Sequence, residues 1–182
     1  MSWLIYRGSE ENVQQRIFEA ATEHNAKTVI RITGDCPLID PQTIDTVVSR
    51  VRDQGADYAS NILQRTFPRG LDVEAFSYES FEKVKSAKNS QAEREHVTPY
   101  YRENPDEFDI STVTSDEVFD GEQYINRTDL RLTLDEADDY RLFKRIYDVV
   151  EYTDIIPIRV AIDHVDAEGL TDINEAVRQK KI

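Results

Sequence analysis

Apolar positions along the 182 residues switch between two periods, and each switch predicts an element. WLIYR (3–7) reads as a short strand, Ser9 follows as an N-cap, and Val13, Ile17, Ala20 and Ala21 recur at helical spacing. TVIRIT (28–33) is a β-branched strand. Asp40 before Pro41 sets a capping acid ahead of the residue best suited to a first helical position, and Ile44, Val47, Val48 and Val51 give that helix an apolar face up to Gly55. DYASN (57–61) and VEAFS (73–77) predict two short strands around a polar loop, ILQRTFPRGLD. A helix is expected over 78–87 after Ser77, and a second from the capping-box spacing SQAE (90–93), ended or kinked by Pro99. DISTVT (109–114) and RLTL (131–134) are strand candidates. Asp135 holds an N-cap position, and Tyr140, Phe143, Tyr147 and Val150 line one face of the helix behind it. IIPIRVA (155–161), broken by Pro157, reads as an edge strand, and Leu170, Ile173 and Val177 mark a C-terminal helix.

Strands alternating with helices of these lengths predict an α/β fold, a largely parallel sheet flanked by helices, with residues 1–182 as one domain. In such sheets ligands gather beyond the carboxyl ends of strands, where Asp35 and Asp135 both stand. Charge narrows the partners. Twenty-two basic against 36 acidic residues give −14, with no basic stripe, which excludes a nucleic-acid backbone and disfavours an anionic membrane surface. A free polyphosphate is repelled unless a local cation reverses the sign. The lone Cys36 provides neither a disulfide framework nor a sulfur cage. No apolar run nears the ~18 residues of a membrane helix, and MSWLIYRGSEEN lacks a signal-peptide pattern, so a cytoplasmic protein is expected.

Three clusters carry chemistry. Asp35, in RITGDCPLID, and Asp135, in RLTLD, are two carboxylates at strand ends. Either they jointly hold a divalent cation such as Mg²⁺, or Asp135 caps the helix starting at Glu136 while Asp35 bonds its own turn. In RTFPRGLDVE (65–74), Arg65 and Arg69 can fork onto carboxylate or phosphate, and Asp72 or Glu74 can accept sugar hydroxyls. The alternative is a surface turn of mutually satisfied charges. Gly70 points to a close backbone approach. In REHVTPYY (94–101), Arg94, Glu95 and His96 are consecutive and so cannot all face one way on a helix. Cys36 reads as a small buried residue before a Pro-bounded turn rather than a nucleophile.

RITGDCPLIDP, RTFPRGLDVE, REHVTPY and RLTLDEADDY, in this order, resemble the cytidylyltransferase family of spore-coat polysaccharide biosynthesis proteins, itself similar to the synthetases that form CMP-sugars from 3-deoxy-octulosonate and acylneuraminate. The resemblance spans nearly the whole chain. It implies a nucleotide-diphosphosugar-transferase-like, Rossmann-like fold that moves a cytidylyl group from CTP to a sugar or sugar acid with Mg²⁺, releasing pyrophosphate. By resemblance, Asp35 and Asp135 are the metal carboxylates, while Arg65, Gly70, Asp72 and Glu74, with Arg94, Glu95 and His96 from a helix, lie on the sugar side. Catalysis of this kind is positioning and charge neutralisation, so no covalent nucleophile is required. Two other readings compete: a non-catalytic sugar-binding or partner-assembled relic of the same fold, and an unrelated metal-dependent phosphohydrolase.

One departure from the family pattern stands out. Its members open with a strand and a G-S-x-R-L-P-G-K loop that holds the triphosphate, whereas YRGSEENV (6–13) resembles a later family segment and offers no Lys. The chain thus reads as N-terminally truncated by two βα units, roughly 30 residues each. The strand bearing Ile30 and Ile32 should then expose its edge, implying self-association or instability, and CTP affinity should be poor.

Overall fold

The computed structural model describes residues 4–87 and 90–177, which form an α/β fold in two compact units. Trp3 of the first predicted strand lies outside the described residues. The elements are α1 (Val13–Glu23), β1 (Thr28–Arg31), α2 (Pro41–Arg52), β2 (Tyr58–Ser60), β3 (Glu74–Ser77), α3 (Tyr78–Ser86), α4 (Gln91–His96), α5 (Pro99–Glu103), β4 (Ile110–Thr112), α6 (Ala137–Val149) and α7 (Ile158–Ala167). The strands hydrogen-bond in the order β1-β3-β2-β4, and the edge pair β1–β3 is antiparallel. β1 is an edge strand with Ile30 44% exposed on it, as predicted, and Ile32, just past its end, is 40% exposed.

The first unit holds residues up to Arg31, Val47–Ala59 and Glu74–Ser111. Helix α1 packs on α3 and α4 through Ala21 and the buried Gln14, whose amide donates to Val97 O at 3.4 Å. Its N-cap is Asn12, which accepts from Gln15 N, whereas the predicted cap, Ser9, takes the amide of Asn12 one turn earlier. Residues 4–7 form no strand. With β1 already an open edge, Leu4 and Ile5 are exposed, and Tyr6 bonds to Glu19 of α1 instead. The core is aromatic: Tyr58 and Tyr101 stack at 4.7 Å, and Phe76, Phe81 and Phe18 continue the cluster. Ser90 and Glu93 make the predicted capping box, and the helix breaks at Val97, held at φ +72°, before Pro99 starts α5.

The second unit holds Ile32–Thr46, Ser60–Val73 and the chain from Thr112 onward. Asp40 caps α2 as expected, accepting from Thr43 N at 2.7 Å. Helix α6 packs on α7 and on a 3-10 turn, Leu170–Ile173, which replaces the predicted C-terminal helix. The face of α6 that is buried is Asp139, Leu142, Phe143 and Ile146, while Tyr140 points out, a rotation of about one position from the aromatic stripe. The predicted edge strand at 155–161 is instead the start of α7: Pro157 is its N-cap, and Ile158, Ala161, Ile162 and Val165 bury one helical face. RLTL forms only a single parallel bridge, Arg131 to Arg69. Asn61, fully buried, supplies what a strand partner would. Its amide donates to Leu71 O at 2.7 Å and its carbonyl accepts from Val73 N at 2.9 Å.

Replacing Asn61 with Ala strands two buried backbone groups, so urea unfolding should show a loss of about 2–4 kcal/mol. A loss within about 0.5 kcal/mol, the range of ordinary surface changes, would remove Asn61 from this role.

Candidate functional site

Three of the chemical motifs meet in the second unit, and backbone contacts bring them there. Gly70 has φ +94°, and a Cβ on it would lie 1.7 Å from the carbonyl oxygen of Leu132. Only glycine permits that approach. It lets Arg69 bridge to the 130s, with Arg69 N donating to Leu130 O at 3.1 Å and Leu132 N to Arg69 O at 2.7 Å. The same segment then turns to Asp35. Leu134 N donates to Asp35 O at 2.8 Å, and the Thr133 hydroxyl bonds both the carbonyl and the carboxylate of Asp35 at 3.2 Å. The close approach predicted for Gly70 is therefore to the chain's own backbone.

Hydrogen bonding determines the charge state of Asp35. Burial pushes its carboxyl up, but bonds from Thr33, its own backbone, Thr133 and Cys36 outweigh this and hold it below the usual carboxylate range. Burial, with the charges of Asp35 and Asp72, pushes the Cys36 thiol up to about 11, so it is no thiolate nucleophile. Arg65 forks onto Asp72 at 2.8 and 3.0 Å. Arg131 holds Asp139 through two nitrogens at 2.9 Å and Asp135 at 2.8 Å.

Asp135 is not the helix cap. Glu136 is, and Asp139 closes the capping box while accepting from the amides of Asp135 and Glu136 and from Asn174. Capping thus leaves the Asp135 carboxylate, 39% exposed, to Arg131 and solvent. Arg131, Thr133, Asp139 and Asn174 were not singled out from sequence. Only Asp139, three residues into a helix after an acidic start, carried a recognisable capping signal.

The remaining predicted residues lie in the first unit. Glu74 is 3% exposed and saturated: it faces Arg31, its cross-strand neighbour, at 2.5 Å, and accepts from Tyr58 at 2.6 Å and Thr98 at 2.5 Å. That network orders the unit's interior, and a carboxylate so deeply buried and paired three times over is held as a structural group. Arg94 and Glu95 are exposed on α4 and His96 is half-buried, the divergence expected of consecutive helical residues.

Among the described residues no three His, Cys, Asp or Glu side chains are grouped to hold a metal. The donors at hand are two carboxylates, one ionised and half-buried, the other partly exposed. That set fits Mg²⁺, a hard ion that takes one or two carboxylates and completes its octahedron with water and phosphate oxygens, and not zinc, which asks for His and Cys.

A family model described as cytidylyltransferase matches residues 1–171, and the chain belongs to that family. It is 32% identical over 180 residues to the uncharacterized protein MJ1063 of Methanocaldococcus jannaschii, covering 97% of this chain and 69% of that protein. It is 30% identical over 143 residues to the spore coat polysaccharide biosynthesis protein SpsF of Bacillus subtilis, covering 79% of this chain and 56% of that protein. Among solved structures, a cytidylyltransferase from Leptospira borgpetersenii superposes with a TM-score of 0.79 at 30% identity, over 96% of this chain and 70% of that one.

Gly70→Ala forces backbone apart and should cost at least about 3 kcal/mol in urea unfolding, with near-wild-type stability as the contrary result. Acid should also weaken the fold. Hydrogen bonds from Arg131 and Asn174 overcome burial and hold the Asp139 carboxyl down, as those at Asp35 do. The native state then binds fewer protons than an unfolded chain with Asp near about 3.9, so this stability is present above about pH 4 and is lost as pH falls through the depressed native values. Asp139→Asn should lower stability at neutral pH and flatten the acid limb of the urea-midpoint curve. An unchanged limb would separate Asp139 from that titration.

Proposed function

We propose that this chain serves the transfer of a cytidylyl group from CTP to a sugar or sugar acid in polysaccharide biosynthesis, releasing pyrophosphate. The observation that carries this reading is the meeting of Asp35, Asp135 and the Arg65–Asp72 loop in one unit of a cytidylyltransferase-family chain. The relation to SpsF, a spore coat polysaccharide biosynthesis protein, supports the pathway class.

In the reaction a sugar hydroxyl oxygen bonds to the α-phosphorus and gives up its proton to solvent, the bond from that phosphorus to the bridging oxygen breaks, and pyrophosphate leaves with the electron pair. Bound Mg²⁺ would supply charge neutralisation on the phosphate oxygens and alignment of the two oxygens in line. Asp35 and Asp135 would hold it. Thr133 donates to one oxygen of the Asp35 carboxylate at 3.2 Å and the Cys36 thiol to the other at 3.7 Å, and together they fix its orientation. Arg131 keeps Asp135 at the mouth of the segment and stops its charge from repelling the triphosphate in full. The Arg65–Asp72 pair is a preformed polar surface for sugar hydroxyls beside Gly70. A net charge of −14 repels CTP, so its binding should depend steeply on Mg²⁺.

Pyrophosphate release from CTP across a panel of neutral sugars, sugar phosphates and sugar acids tests the proposal. Release with at least one sugar, abolished by chelator and reduced on the order of a hundredfold by Asp35→Asn, is expected. Sugar binding without any release would favour a non-catalytic role, and release of phosphate without CTP would favour a phosphohydrolase.

A further inference from the structure

We propose that the open edge of β1 and the apolar segment at residues 4–6 are two halves of one interface, the segment of a second copy of this chain adding as a strand to the edge of the first. Both lie in the first unit, and each is left uncovered there. The antiparallel register of β1 on β3 decides which backbone groups are free. Tyr78 N donates to Lys27 O at 2.9 Å, whereas Ser77 N turns the other way, to Asp57 O at 3.0 Å. Alternation along the ladder then aims Val29 and Arg31 at β3 and turns the amides and carbonyls of Thr28 and Ile30 outward, where among the described residues no strand pairs with them. Nothing on β1 guards that edge. Its register runs without a bulge, TVIR contains no proline, and its one charge, Arg31, is held by Glu74.

The same unit supplies the occupant. Ile5 and Leu4, 85% and 68% exposed, are the most exposed large apolar side chains among the described residues, and Ile5 and Tyr6 are strand-favouring types. Within one copy the segment is tied along α1: Tyr6 donates to Glu19 at 3.0 Å, and Arg16 donates to Ser9 O at 3.0 Å. Area separates two ways in which copies could meet. Pairing β1 with β1 covers only Ile30 of each copy. Exchanging segments covers Leu4, Ile5 and Ile30, roughly 400 Å² of each copy, close to the apolar share of the roughly 800 Å² that each partner of a standard interface buries. A two-fold axis makes the exchange reciprocal, so two edges and two segments are covered at once. Main-chain bonds to Thr28 and Ile30 then give the pairing, and Ile30 gives the added strand an apolar contact.

Light scattering of the full chain over a dilution series tests this, and a dimer that dissociates on dilution is expected. Ile5→Asp changes a side chain that touches little in one copy, and Ile30→Pro removes only the amide that faces away from β3. Each should raise the dissociation constant about tenfold or more, and Ile5→Asp carries the test if Ile30→Pro fails to fold. Mixing an Ile5→Cys chain with an Ile30→Cys chain under mild oxidation should link the two copies by a disulfide, the native Cys36 being buried. A monomer at every concentration would overturn the proposal, as would a dimer indifferent to both Ile5→Asp and Ile30→Pro. So would a chain carrying both cysteine substitutions that closes the disulfide within itself, since the edge would then hold its own segment.

Discussion

The carbonyl of Leu132 occupies the space that any side chain on residue 70 would need. Much of the second unit's chemistry follows from that single steric fact. With glycine there, the loop at 65–73 and the segment at 130–134 can lie backbone to backbone. The bridge between Arg69 and Arg131 then forms, and Thr133 and Leu134 are delivered to Asp35. Three stretches far apart in sequence become one site through three backbone hydrogen bonds and one hydroxyl. A left-handed turn at a glycine is cheap, whereas at another residue it would add strain to an overlap no side chain could relieve.

Charge is distributed over that frame in a graded way. Asp139 and Asp72 are fully engaged by arginines, Asp135 is shared between Arg131 and solvent, and Asp35 is kept ionised by hydrogen bonds without any ion pair among the described residues. The grading matters for function. A carboxylate stabilised by neutral donors keeps its full charge for a metal, while one locked in a bidentate pair does not. Glu74 is the extreme case in the other unit, spent on Arg31, Tyr58 and Thr98. Its neighbour in sequence, Asp72, and its own position in RTFPRGLDVE gave no hint of that difference.

Local signals proved readable where a single physical cause acted. Asp40-Pro41, the Ser77 cap and the Ser90–Glu93 box each set one helix start, and the alternation of periods gave the α/β class. The exposed edge at Ile30 followed from strand order. What failed depended on partners distant in the chain. IIPIRVA carries a proline that suits an edge strand or a helix start equally, and packing of Ile158 and Ile162 decides for the helix. The aromatic stripe on α6 misled because Tyr140 is amphipathic and Asp139, bound by Arg131 and Asn174, takes the buried place. Likewise the role of Glu74 was written in residues 31, 58 and 98, none adjacent to it.

The proposed function stands on Asp35 and Asp135 together holding the metal. Substituting Mn²⁺ for Mg²⁺ in an isotope-labelled sample and following paramagnetic broadening of backbone amides tests it at the residue level. Substoichiometric Mn²⁺ should broaden residues 34–36 and 133–136 first, and Asp35→Asn should abolish that pattern. Broadening centred on other acidic surfaces of the chain, and indifferent to Asp35→Asn, would contradict the account.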